Sequence, residues 1–282
     1  MLPQEEYIEQ AYTFQTLADR LSLNLPVQEL MTDLKQELLS SSKLLIALDF
    51  LIGELKFHGR MAPAMTRLSH YFAPFQTFII ECSEMDLPPI EFSLALSVLA
   101  KEAKYRGENA TPQGVFFYQF EAIARNRLPY RKGLTAMAGD PIFDEDWRAW
   151  LDHLKKEVGF IDFAELIYLR SEHYQTNLER YGHDPDPVPV LFGEKEGRIA
   201  FANRKRDPIF LFAALERHIQ YPTVPRRKKV ADDADQVPLL MRRVEQLESR
   251  LRFLEEENRG GIDFQKLYQP PPSVSLDDEP KD

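Results

Sequence analysis

Three groups of residues in this chain have types and spacings that could do chemistry. The first is Ser171-Glu172-His173, preceded by Arg170 and followed by His183-Asp184 and Asp186. Titratable side chains converging at a helix end can shift one another's pKa, so Arg170, Glu172 and His173 are the candidate polar pocket for acid–base work. The second is Glu54 with His58, four residues apart and so on one helix face. That spacing suits a local helix contact better than a metal site. The third is basic. Arg125, Arg127, Arg131 and Lys132 surround Tyr130, Arg204-Lys205-Arg206 form a second group, and Arg226-Arg227-Lys228-Lys229 a third. Gathered on one face they would dock a nucleic-acid backbone, and the last run also reads as a nuclear-import signal in a eukaryote. Apart, they are solvated loops and linker.

Other chemistries lack their residues. The six histidines form neither His-Glu-x-x-His nor paired Glu-x-x-His, the spacings of zinc proteases and di-iron bundles. There is no Gly-x-Ser-x-Gly elbow, no phosphate-binding P-loop and no Gly-x-Gly-x-x-Gly after a strand. Cys82 lies in an apolar helical stretch, a poor setting for a thiolate nucleophile. We therefore expect no cofactor and no metal, and assign no catalytic residue. The chain carries 35 basic and 45 acidic side chains, a net charge of −10. Phosphate contacts dominate nucleic-acid affinity, so a general nucleic-acid binder is disfavoured unless the basic groups are brought together.

The clearest pattern lies elsewhere. Val237, Leu240, Val244, Leu247, Leu251 and Leu254 recur at alternating gaps of three and four, the a/d repeat of a coiled coil. With Val244 at a, Arg243 and Arg250 fall at g, and Glu248 and Glu255 at e. In a parallel pair each g residue faces an e residue of the partner, giving Arg243 to Glu248 and Arg250 to Glu255, both attractive. Val at a with Leu at d favours two strands. The expected partner is therefore a second copy in a parallel homodimer; packing of the same helix on its own body is the competing reading.

The elements that must position these groups read as helices. The expected fold class is mainly α: an irregular multi-helix globular domain over 1–221 with one small β-hairpin, followed by a C-terminal coiled-coil helix. A charged linker is expected over 222–236, the coiled-coil helix over 237–258, and a disordered tail, acidic and Pro-containing, over 259–282. The hairpin is read from Val190–Phe192 and Arg198–Phe201 flanking Gly193 to Gly197, within 190–201. Tyr130 to Phe143, punctuated by Gly133, Gly139 and Pro141, reads as a loop. Phe163 to about Arg180 reads as one helix capped by Asp162. Leu44 to Ile52 is apolar on most sides, which predicts a helix central to the core.

The single cysteine excludes an internal disulfide and fits a reducing compartment. The first residues lack the basic and apolar regions of a signal peptide, and no apolar run is long enough to cross a membrane. The expectation is an intracellular, cytoplasmic interaction or scaffold protein acting as a coiled-coil homodimer. It would bind an unidentified protein partner, without membrane contact. A nucleic-acid-associated regulator using 125–132, 204–206 and 226–229 is the alternative, and an enzyme with its site near His173 the second alternative.

Overall fold

The computed structural model describes residues 2–21, 25–108, 110–184 and 187–226. The predicted coiled-coil helix, most of the linker and the tail lie outside the described residues. Thirteen α-helices follow one another among the described residues. They are α1 (Gln4–Arg20), α2 (Val27–Leu34), α3 (Leu44–His58), α4 (Ala62–Arg67), α5 (Pro74–Ser83), α6 (Phe92–Gly107) and α7 (Pro112–Arg125). After these come α8 (Tyr130–Ala138), α9 (Glu145–Glu157), α10 (Phe163–Tyr168), α11 (Glu172–Arg180), α12 (Glu194–Asn203) and α13 (Pro208–Ile219). The mainly helical class is as the sequence predicts. No described helix is long and apolar enough to cross a membrane.

α7 is the centre of the core. Thr111 caps it by accepting the Gly114 N–H at 3.1 Å, and Pro112 occupies its first turn, where a missing N–H costs nothing. From Val115 to Ile123 every side chain is buried. Phe116 and Phe120 gather an aromatic cluster with Trp147 and Trp150 of α9, Phe163 of α10, Phe192 and Phe212 of α13. α1 lies along α6. Glu6 of α1 accepts from the Lys43 N–H at 2.8 Å, the Ser42 hydroxyl at 3.0 Å and the Tyr71 hydroxyl at 2.7 Å, tying α1 to the start of α3.

A buried ionic network joins α6, α7 and the turn after α8. The Arg106 guanidinium donates to Glu102 at 2.9 Å and to both oxygens of Asp140, and Gln119 donates to Glu102 at 2.6 Å. All of these side chains are excluded from solvent. Two acceptors, Glu102 Oε2 and Gln119 Oε1, find no donor.

The body does not end at Tyr221. Tyr221 and Val224 are buried, the Tyr221 hydroxyl donates to Glu121 at 2.7 Å, and Lys101 donates to the Thr223 carbonyl at 2.9 Å. The first residues of the expected linker are thus a strap held on α6 and α7.

Three local expectations are corrected. Glu194–Asn203 is a helix, so the hairpin over 190–201 does not form. Gly193 serves as its N-cap, and Glu194 and Glu196 sit in its first turn, where acids suit the positive helix end. Gly197 lies inside this helix because α12 is pressed onto α11: a Cβ there would stand 2.5 Å from Ser171 Cβ and 2.8 Å from His173 Cβ. Phe192 instead forms an isolated parallel bridge with Ser171, outside the expected pairing of 190–192 with 198–201. Tyr130–Ala138 is a helix rather than a loop. Gly133 is there for close approach, since a Cβ would come within 2.5 Å of Ile123 Cδ1. The helix expected from Phe163 to Arg180 breaks after Tyr168, and Ser171 caps the second piece by accepting the Tyr174 N–H at 3.3 Å.

α3 is only half central. Leu44, Ala47, Leu48, Leu51, Ile52 and Leu55 face the core, but Ile46, Phe50 and Phe57 are 75%, 36% and 84% exposed. Gly53 lies among them, and a Cβ there would meet nothing within 4 Å. A mid-helix glycine costs about 1 kcal/mol relative to alanine, and the body's own packing gives no return for it.

Candidate functional site

α8 is seated against α5 by its glycines. Gly133 meets Ile123 and Phe78, and a Cβ on Gly139 would stand 3.3 Å from Pro74 Cγ. This close seating leaves an open groove of 540 Å³ between the end of α4, α5 and α8. Its floor is apolar, from Phe72, Pro74, Phe78 and Ala136, and threonine hydroxyls from Thr66, Thr77 and Thr135 line its sides. Arg131, Lys132 and Glu81 stand at the rim.

The rim charges are placed against helix preference. Arg131 and Lys132 occupy the first turn of α8, at the positive end of the helix dipole, where cations are disfavoured. Lys132 is offset by Glu81 at 3.4 Å. Arg131 pairs with no carboxylate among the described residues. Together with the free N–H groups of the α8 first turn, its guanidinium gives this end of the groove a positive field suited to a carboxylate or another small anion. Cys82, on α5, is buried, and burial together with Glu81 pushes its thiol up to about 12, so it supplies no nucleophile.

The predicted basic group is therefore split by the fold. Arg131 and Lys132 line the groove. Arg125 turns inward and its Nε bonds the buried Glu121, so its charge is spent in the core. Arg127 is exposed in a left-handed turn (φ 54°) after α7. The Asn126 side chain donates to the Pro225 carbonyl at 3.2 Å, which brings Arg226 beside this turn. Of the second basic group, Arg204 pairs with Glu165 at 3.1 Å and lies over the Phe201 ring at 3.8 Å. Arg227, Lys228 and Lys229 lie outside the described residues.

The predicted polar pocket is only partly assembled. His173 Nδ1 meets Glu194 at 2.8 Å and its Nε2 faces Asn177 at 3.4 Å, while Glu172 accepts the Glu194 N–H at 3.0 Å. The imidazole stands edge-on to Tyr168 and Phe201. Arg170 does not join them: its backbone carbonyl accepts from Leu191 and Phe192, and its side chain bonds nothing among the described residues. Both ring nitrogens of His173 are thus engaged within the fold. The Ser171 hydroxyl is buried and donates to the Tyr168 carbonyl at 2.6 Å, and the Tyr168 hydroxyl accepts from Asn177 at 3.2 Å. The cluster clamps α11 to α12.

Glu54 and His58 are 3.8 Å apart, but Glu54 is taken by Arg67. Among the described residues no three His, Cys, Asp or Glu side chains group as metal ligands. The predicted dimer residues Val237, Leu240, Arg243, Val244, Leu247, Glu248, Arg250, Leu251, Leu254 and Glu255 lie outside the described residues. No protein-family model, curated protein or solved structure matches this chain.

The sequence reading singled out Arg131 and Lys132 but missed the groove they border. Its floor comes from α5, whose apolar pattern predicts burial without showing which edge stays open. Its wall is a helix misread as a loop because glycines used for close packing resemble turn glycines.

Proposed function

We propose that this chain is an interaction protein whose α4–α5–α8 groove takes an acidic, apolar-faced segment of a partner protein. The observation that carries the reading is the groove's chemistry: an apolar floor that includes Phe72 and Phe78, bordered by Arg131, which pairs with no carboxylate among the described residues. Apolar contact would supply affinity, and Arg131 would fix the direction of the bound segment through a charge-assisted hydrogen bond. Pairing of 237–258 as a parallel coiled coil would hold two bodies on one stalk. Two grooves per assembly then bind a divalent or clustered partner more tightly than one. The buried, single Cys82 is in keeping with work inside the cell.

A random peptide library displayed on phage and selected on the full chain tests this. Enriched peptides should combine acids with aromatic or aliphatic residues, and should lose binding to Arg131→Glu/Lys132→Glu. Enrichment that is unaffected by that double substitution, or none at all, would remove the groove as the site.

A nucleic-acid partner is the second reading. It is favoured by the Asn126–Pro225 hydrogen bond, which sets Arg226 beside the exposed Arg127 at the start of the basic run. It predicts retention on immobilised nucleic acid at low salt that falls with added salt and with Arg127→Glu.

A further inference from the structure

The outward face of α3 carries an exposed apolar stripe. Ile46, Phe50, Gly53 and Phe57 follow at gaps of four, three and four, an a/d stripe about 16 Å long. Three observations specify the occupant. The first is Gly53, which no packing within the body requires, since a side chain there would meet only open space. The second is charge. Asp49 and Lys56 flank the stripe on one side, both exposed; Asp49 is held by Lys35, and Lys56 has no ion pair among the described residues. The third is a groove of 190 Å³ beside Ile46, lined by Leu2, Ala47, Leu68 and Tyr71 with Lys43 and His70.

We propose that α3 pairs antiparallel with α3 of a second chain across a two-fold axis. In that register Phe50 lies over the partner's Gly53 and Ile46 meets the partner's Phe57. The same contacts repeat by symmetry, as an isologous interface demands. The large ring finds the missing side chain, and the partner's Phe57 gains a seat in the groove beside Ile46. The flanking residues follow without adjustment: antiparallel pairing sets each g position against a g position, so Asp49 faces the partner's Lys56. A parallel arrangement would set Asp49 against the partner's Glu54 instead. A helix pair of this length buries less than the roughly 1,600 Å² of a standard interface, which suits a reversible contact rather than a permanent one. It is independent of the stalk and goes beyond the groove reading.

Sedimentation equilibrium of the full chain carrying Leu247→Glu, which silences stalk pairing, tests the proposal. The chain should still associate reversibly. Phe57→Glu should weaken that association about tenfold or more, and its thermal melting should be unchanged, because Phe57 is exposed. Asp49→Lys and Lys56→Asp should each weaken it about threefold to tenfold, and the two together should restore it. A Leu247→Glu chain that stays monomeric at all concentrations would overturn the proposal, as would failure of the double reversal to restore pairing. If Phe57→Glu matters only when Leu247 is intact, the C-terminal helix occupies the stripe and the proposal is likewise overturned. Failure of the stalk itself is read separately, from wild type against Leu247→Glu alone.

Discussion

Arg106→Met and Glu102→Gln should have very unequal costs, although both alter a charged partner of the same buried network. Among the described residues Arg106 is the only cation paired with Glu102 and Asp140, and all three side chains are fully enclosed. Removing it leaves two carboxylates without compensation, and breaking a buried pair from one side costs about 3–5 kcal/mol. That is a large share of the roughly 5–15 kcal/mol that holds an ordinary domain together. Glu102→Gln acts differently. Burial pushes the Glu102 carboxyl up, and the pull of Arg106 does not fully offset it. The replacement amide keeps an acceptor for Arg106, and its NH2 can serve the orphaned Gln119 Oε1. Its cost should stay within about 1 kcal/mol. Urea unfolding followed by the fluorescence of Trp147 and Trp150, both buried, reads the difference. With an m-value near 2 kcal/mol/M, Arg106→Met should move the midpoint down by about 2 M and Glu102→Gln by about 0.5 M or less. The pH dependence adds a sign. A carboxyl held high in the fold takes up a proton on folding. The stability it contributes is full below the usual carboxylate range and is lost as pH rises through its folded value. The difference between wild type and Glu102→Gln should therefore fall as pH rises. Equal losses from the two variants, or a silent Arg106→Met, would refute this account of the network. Asp140 directly follows α8 and its glycine, so Arg106→Met should also weaken groove binding.

Gly53→Ala should stabilise the body by about 1 kcal/mol in thermal melting, because the added methyl meets open space, while weakening self-association of the Leu247→Glu chain. Changes of the same sign would sink the assignment of Gly53 to an interface. Gly197→Ala should destabilise by about 1–3 kcal/mol in urea, since its methyl collides with Ser171 and His173 of α11; a neutral result would contradict the close seating of α12. Glu6 is buried, which raises its pKa, but the Lys43 N–H, Tyr71 and Ser42 outweigh that and hold it below its usual value. Its contribution is present above the usual carboxylate range and is lost as pH falls through the lowered value. Glu6→Gln should thus cost stability at pH 7 and flatten the acid limb of a stability–pH curve. An unchanged acid limb would refute it.

Most helices were legible because their signals are local. Thr111-Pro112, Asp144 and Asp207-Pro208 carry helix-start signals in the chain itself, and Thr111, Asp144 and Asp207 each cap the helix that follows. The two misread segments at 130–143 and 190–201 share one cause. Gly133 and Gly197 are glycines demanded by a neighbouring helix, and tertiary close approach leaves no local trace distinguishing it from a turn. Leu44–Ile52 misled in another way. Its apolarity on most sides suggested a place central to the core, whereas one face meets the core and Ile46 and Phe50 are left outward. For the candidate site, residue type identified Arg131 and Lys132, but only the fold separates them from Arg125, which Glu121 draws inward. Ser171-Glu172-His173 looked like a site because its groups are adjacent in sequence. The fold spends them on joining α11 to α12.

The groove reading is tested most directly by hydrogen–deuterium exchange of the full chain, with and without a selected acidic, apolar-faced peptide. Binding in the groove should slow exchange over 66–81 and 130–136 and leave 163–203 unchanged, and Arg131→Glu should abolish the slowing. Protection confined to any other region, or protection that survives Arg131→Glu, would contradict it.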